Sequence, residues 1–366
     1  MMTNRSPVGA FLDAIIRGGK APGGVAAWNE PDSQTFRYEV SGKAAVIEEG
    51  AGSDTEETTW YDLASLTKPL VVTTLFLLAR RLKGIDLDTR VGEILADLSK
   101  DVFPGDRTLG SLLTHTSGIS AWEPFYIHPQ DRDDTARFFC RLSPLADVGR
   151  QVMYSCPGFI LLGRVLEHLF QLDLAEAFIQ MVTGPLDLTG ELDFRPEPMS
   201  VQIAGGSISG NVERLLLQER GLRTHLLPLR RHGQPDDGNA RFLGGAAGNS
   251  GLFGTAHGVH LLAKEYLPGG GRLLSATEVE LATRCRTSGL GQERALGWQL
   301  ASTRGCSAGA ALPPEAFGHI GFTGTSVWVN PLQRQVMVLL TNRHHPEHRM
   351  TDLHPLRRRF NALVRF

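Results

Sequence analysis

The stretch Ala64-Ser65-Leu66-Thr67-Lys68-Pro69 runs without a break into Leu70-Val71-Val72-Thr73-Thr74-Leu75-Phe76-Leu77-Leu78-Ala79, and its reading decides the rest. If that run is helical, Ser65 and Lys68, three residues apart, share one face, and the pair is expected at an exposed helix mouth. Pro69 puts the pair in the first turn, where backbone N–H groups have no helical partner and a missing donor costs little. A serine hydroxyl becomes a nucleophile when a nearby base takes its proton, and a lysine can be that base if burial among Leu66, Leu70 and Val71 lowers its pKa. Ser65 is therefore a candidate acylatable nucleophile. Because S-x-x-K also occurs by chance on many helix surfaces, its weight depends on partners elsewhere in the chain.

The chain has 366 residues, 42% of them hydrophobic, enough for one to three domains with a sizeable core. Lys and Arg number 37 against 39 Asp and Glu, and the formal charge of −2 carries no long block of one sign. That argues against nucleic acid as a partner. The longest apolar run, Pro69 to Ala79, falls short of the roughly 18 residues that span a bilayer. The segment Met1 to Lys20 has Asp13 and Arg17 inside its apolar part and lacks the arrangement of a signal peptide. Cys140, Cys156, Cys285 and Cys306 show neither C-x-x-C spacing nor the density of a disulfide framework, so they read as reduced thiols in a cytoplasmic protein.

Val8 to Arg17 reads as an amphipathic helix, followed by a hairpin of Gly23–Trp28 and Phe36–Val40 across Asn29-Glu30-Pro31-Asp32. A long middle region is dominated by helical periodicity. In it Thr108 caps a helix that ends at Thr114-His115-Thr116-Ser117-Gly118, with His115 expected to bond local backbone. Tyr154-Ser155-Cys156 precedes the apolar stripe Leu162, Val165, Leu166, Leu169 and Phe170, and a tyrosine in that place is usually packing. The helix Leu174 to Val182 is expected to break at Gly184-Pro185, and Arg223 to Asn239 reads as a surface loop. The glycine-rich Leu243–Thr255 has no basic residue to cradle phosphate and suits close backbone approach. Strands return at Leu296–Leu300, Gly318–Val329 and Val336–Leu340, and a helix closes the chain from Leu353. His344, His345 and His348, in a charged loop without ligand spacing, read as solvated rather than metal-binding.

With these pieces placed, the chain resembles the serine β-lactamase and penicillin-binding-protein superfamily, in the branch of class C β-lactamases, D-Ala-D-Ala carboxypeptidases and related esterases. Three motifs carry the resemblance: Ser65-Leu66-Thr67-Lys68, Tyr154-Ser155-Cys156 where the branch has Tyr-x-Asn, and His319-Ile320-Gly321 where it has Lys/His-x-Gly. It implies an α+β fold: an antiparallel sheet of five or more strands built from both termini and flanked by helices (1–80 and 268–366), with a mainly helical insert (81–267). The site would lie at their join. It further implies that Ser65 attacks a carbonyl, that Lys68 and Tyr154 handle its proton, and that the backbone N–H groups of Ser65 and Phe322 hold the oxyanion.

Three positions depart from the β-lactamase pattern. Cys156 replaces an amide, Ile320 a hydroxyl and His319 a lysine, so the groups that by the resemblance would grip a substrate's amide and carboxylate beside Gly321 are changed. The expectation is a serine hydrolase, free of metal and cofactor, cleaving small esters, amides or peptides through an acyl-enzyme with weak β-lactamase activity. A true β-lactamase or D,D-carboxypeptidase is one alternative. A non-catalytic sensor with the same fold is the other.

Overall fold

The structure, a computed structural model, describes residues 5–45, 52–128, 135–207, 211–346 and 351–365. Its centre is a six-stranded antiparallel sheet with the order β2-β1-β9-β8-β7-β6. In chain order, β1 is Gly23–Asn29 and β2 Phe36–Gly42, and β3 (Tyr61–Asp62), β4 (Leu192–Asp193) and β5 (Phe253–Gly254) form a separate three-stranded sheet. The remaining strands are β6 Gln299–Leu300, β7 Phe317–Ile320, β8 Ser326–Asn330 and β9 Gln335–Thr341. β1 pairs with the hairpin partner β2 on one side and with β9 on the other, so the expected N-terminal hairpin and the sheet built from both ends of the chain are present.

Successive side chains of a strand point to opposite faces, and both faces here are covered. Val25, Ala27, Val338 and Leu340 belong to the larger core, against which the helix Ala256–Lys264 packs. Ala26, Trp328, Met337 and Leu339 face the other way, onto the helices Pro7–Arg17 and His354–Leu363, where Phe11 and Phe360 stack with ring centroids 6.4 Å apart. Burial on both faces explains why β8 and β9 read as nearly continuous apolar runs. No helix among the described residues is long and apolar enough to cross a membrane.

Several expectations change in detail. The regular helix expected from Ser65 is a 3-10 turn, Ala64–Leu66, a π-helical segment, Lys68–Thr73, and an α-helix, Thr74–Lys83. Pro69 supplies no N–H, and the Thr73 hydroxyl turns outward to Leu296 O at 3.0 Å, which together favour the wider winding. Gly318–Val329 is not one strand. A tight turn over Gly321–Thr325 folds it into β7 and β8, with Gly321 N–H donating to Thr325 O. Leu296–Leu300 contributes only Gln299 and Leu300 as strand. Helical winding passes through Gly184-Pro185, because the proline falls in a first turn. His344 and His345 are buried rather than solvated: His344 Nδ1 meets Asp236 at 2.8 Å and His345 meets Gly206 O. His348 lies outside the described residues.

Candidate active site

Asp62 and Leu63 lead from the short strand β3 into the 3-10 turn that carries Ser65. Ala64, directly before the serine, has φ of +48°, a left-handed conformation that costs a non-glycine residue of order 1 kcal/mol. Two side chains hold it there: Asp62 Oδ1 accepts the Ala64 N–H at 2.9 Å, and Thr67 Oγ1 donates to Ala64 O at 2.6 Å. The strain presents Ser65 to a cleft of about 620 Å³. Burial, and then the neighbouring Asp236, push the Asp62 carboxyl up to about 6.

Lys68 is fully buried, and its Nζ reaches Ser65 Oγ at 3.0 Å, Asn249 O at 2.9 Å and Cys156 Sγ at 3.6 Å. The expectation that apolar neighbours depress this lysine is corrected by its surroundings. Burial pulls its pKa down, but Cys156, Tyr154 and Asp237 outweigh that and leave it raised. The apolar residues beside Lys68 in sequence line its stem, while its head finds polar atoms brought from elsewhere. Tyr154 OH donates to Ser65 Oγ at 2.8 Å, so this residue does more than pack. Burial raises its pKa against the pull of Lys68. The hydroxyl of Ser65 thus lies between the amine and the phenol.

His115 sets where Tyr154 stands. Its φ of +59° turns the chain so that His115 O accepts the Met153 N–H and its Nδ1 accepts the Ser155 N–H at 3.0 Å, and its ring lies 4.6 Å from the Tyr154 ring. Ser155 then caps the helix Cys156–Phe170 through the Gly158 N–H. Cys156 opens that helix, and burial raises its thiol, which favours the unreactive protonated form.

The third motif ends β7. His319 is buried, and because the Ile320 carbonyl can only accept, the Nδ1 that meets it at 2.9 Å carries the proton. Burial, together with the nearby Arg294 and Lys68, keeps this ring neutral, well below the usual histidine range. Gly321 cannot be replaced without movement, since a Cβ there would lie 2.0 Å from Thr325 Oγ1 and 2.6 Å from Leu63 O. Thr323 Oγ1 donates to Asp62 O and Thr325 Oγ1 to Leu63 O, tying the turn that carries Phe322 to the segment before Ser65. Arg357 Nη2 donates to Gly321 O and Thr325 O.

The structure therefore brings all the expected residues, Ser65, Lys68, Tyr154, Cys156, His319, Ile320, Gly321 and Phe322, around one cleft. It adds residues that sequence reasoning missed. Asn249 contributes its carbonyl, and its side-chain amide donates to Asp237 Oδ2 at 3.0 Å, while Asp237 Oδ1 caps the helix Gly238–Phe242 through Ala240. Asp236 and Asp237 thus correct the reading of Arg223–Asn239 as a loop wholly at the surface. The Asp-Gly-Asn-Ala run at 237–240, an N-cap ahead of a helix, was the available signal. A backbone carbonyl such as Asn249 O leaves no mark in a sequence.

Comparison with known proteins agrees with this geometry. The family described as Beta-lactamase matches residues 12–362. The "Putative D-alanyl-D-alanine carboxypeptidase" of Escherichia coli (strain K12) is 29% identical over 315 residues, covering 78% of this chain and 70% of that protein. Among solved structures, EstCE1, a hydrolase with promiscuous acyltransferase activity, shares the fold with a TM-score of 0.73 at 20% identity, covering 98% of this chain and 97% of its own. A class C β-lactamase from Rhodobacter sphaeroides does so at 0.71 and 18%, covering 97% of each chain. With a serine, a lysine and a tyrosine converging at one cleft and a family match over nearly its whole length, the chain belongs to the β-lactamase family of serine hydrolases.

Proposed function

We propose that the protein hydrolyses small esters or amides through an acyl-enzyme on Ser65, with an esterase- or peptidase-like preference and weak activity on β-lactams. The observation that carries this is the Ser65 hydroxyl held between Lys68 Nζ and Tyr154 OH at 3.0 and 2.8 Å. Ser65 Oγ attacks the carbonyl carbon while its proton passes into the Lys68–Tyr154 pair. The oxyanion is held by the N–H groups of Ser65 and Phe322, donors each worth a few kcal/mol of barrier. The same pair returns the proton to the leaving group, and water then resolves the ester on Ser65. In this reading the sheet and the helical segments form two lobes that meet at the cleft, and the enzyme works in the cytoplasm. The neutral His319 and the apolar Ile320 support the preference, because neither offers a β-lactam carboxylate a charge. The name of the Escherichia coli relative supports peptide substrates as the second reading.

The test is turnover of p-nitrophenyl butanoate beside a penicillin and a cephalosporin, with a fluorophosphonate as active-site label. The expected result is ester turnover well above β-lactam turnover, label on the peptide containing Ser65, and loss of both in Ser65→Ala. Label that persists in the variant overturns the assignment, and labelling without turnover favours a sensor.

A further inference from the structure

Lys68 is a buried cation whose direct partners carry no charge. Its ammonium has three protons to place, and Ser65 Oγ, Asn249 O and Cys156 Sγ face them at 3.0, 2.9 and 3.6 Å. None of the three is an anion, since burial favours the protonated Cys156 thiol. An ammonium withdrawn from water is costly unless a compensating charge stands close by, and the carboxylate whose charge reaches Lys68 is that of Asp237. It does so from one residue away. Asn249 spans the two groups: its carbonyl accepts from Lys68, and its side-chain amide donates to Asp237 Oδ2 at 3.0 Å. Asn249 is only 1% exposed and sits at the tip of a tight turn, where the backbones of Ala247 and Ser250 exchange hydrogen bonds of 3.2 Å. Asp237 is held from its other side, because Oδ1 accepts the Ala240 N–H at 2.7 Å.

The other charged and titratable groups around this link do not replace Asp237. Asp236 is engaged by His344 at 2.8 Å. Arg241 donates to the carbonyls of Pro228, Pro235 and Asp236 and lies 3.9 Å from Glu213. Burial and the charge of Asp237 raise Glu213, which favours its neutral form. On the far side of Lys68, burial keeps Tyr154 protonated and His115 and His319 neutral, and Arg294, a cation 5.7 Å from the centre of the Tyr154 ring, opposes a proton on Lys68.

We propose that Asp237 is a positioning residue for acylation, acting through Asn249 to aim the Lys68 amine at Ser65 and to supply the negative charge that faces it. This rests on the hydrolase reading above and identifies what sets the state of its base. Asp237→Asn keeps the volume, the helix cap and a hydrogen bond to Asn249, and removes only the charge. Lys68 then releases its proton more readily. The rising limb of kcat/KM against pH for p-nitrophenyl butanoate should move about one unit toward lower pH, with the limiting value at high pH within about threefold of the wild type. Asp237→Ser keeps a cap but cuts the link to Asn249, and Asn249→Ala cuts it from the other end while leaving the carbonyl in the chain. Each should lower the limiting value about tenfold through misplacement of the amine. The double variant should be no worse than the weaker of the two, as for residues that form one link. A limb that stays in place in Asp237→Asn, with any loss equal at every pH, makes Asp237 a structural residue and overturns the proposal. Losses that multiply in the double variant overturn it as well. NMR of the resting protein, with lysine isotope-labelled at Cε, separates this from failure of the hydrolase reading. The Lys68 signal, identified by its disappearance in Lys68→Met, should titrate about one unit lower in Asp237→Asn than in the wild type. If the wild type turns over no ester and this midpoint falls, the hydrolase reading fails and the link from Asp237 to Lys68 stands. If the midpoint is the same in both proteins, the proposal falls whatever the turnover.

Discussion

Ser65 accepts a hydrogen bond from Tyr154 and lies 3.0 Å from the Lys68 amine. Both partners hold their protons tightly, Lys68 because its polar neighbours outweigh burial and Tyr154 because burial outweighs Lys68. The resting pair therefore carries one proton too many to act as a base. A base whose pKa is raised is in its working form only as the pH climbs, so kcat/KM for a neutral ester should rise about tenfold per pH unit from 7 to 8 and go on rising toward 9. A flat profile over that range would mean that the serine is activated by another group. His115 and His319 cannot supply such a limb, because burial keeps both neutral throughout.

At the scale of elements, the turn between β7 and β8 and the turn before Ser65 behave as one piece, since hydroxyls of Thr323 and Thr325 bond the carbonyls of Asp62 and Leu63. Gly321→Ala forces a Cβ between them, against backbone that cannot swing away. The expected outcome is a loss of at least tenfold in kcat with KM little changed, and a lower unfolding temperature. Unchanged kcat would separate the turn from the chemistry.

The same elements show what was legible in sequence. S-x-x-K was readable because three residues of spacing survive even a 3-10 and π-helical winding. The strands were readable where apolar runs met turn residues, as at β1, β2 and β9. The role of Tyr154 came from the resemblance alone; its own neighbours in sequence suggested packing, because its partner lies 89 residues away. The charge state of Lys68 was misread because sequence neighbours reveal what lines a stem and not what meets its tip. His344 and His345 were misread because a polar loop does not show in sequence that Asp236 and the Gly206 carbonyl come to meet it. Arg294, followed by Ala-Leu-Gly-Trp, looks in sequence like any surface arginine before a strand.

At the scale of the whole molecule, the last helix supports the turn beside the cleft. Arg357 reaches from the last helix to the carbonyls of Gly321 and Thr325, with its own Nε proton unmatched and its pKa lowered to about 9 by burial. Arg357→Met keeps the volume and removes the two hydrogen bonds. Relief of a buried charge offsets the loss, so stability in urea should change by no more than about 1–2 kcal/mol. Ester turnover should fall about tenfold. A fall in stability without a fall in turnover would reduce Arg357 to a structural role.

The pairing of β1 with β9 brings Gly24 opposite Thr341. Such distant pairing makes assembly wait on loop closure across most of the polypeptide. The serine is synthesised early, but the strands and the arginine that shape its surroundings come last. The cleft around Ser65 is therefore complete only once β9 and the helix after it have joined the fold.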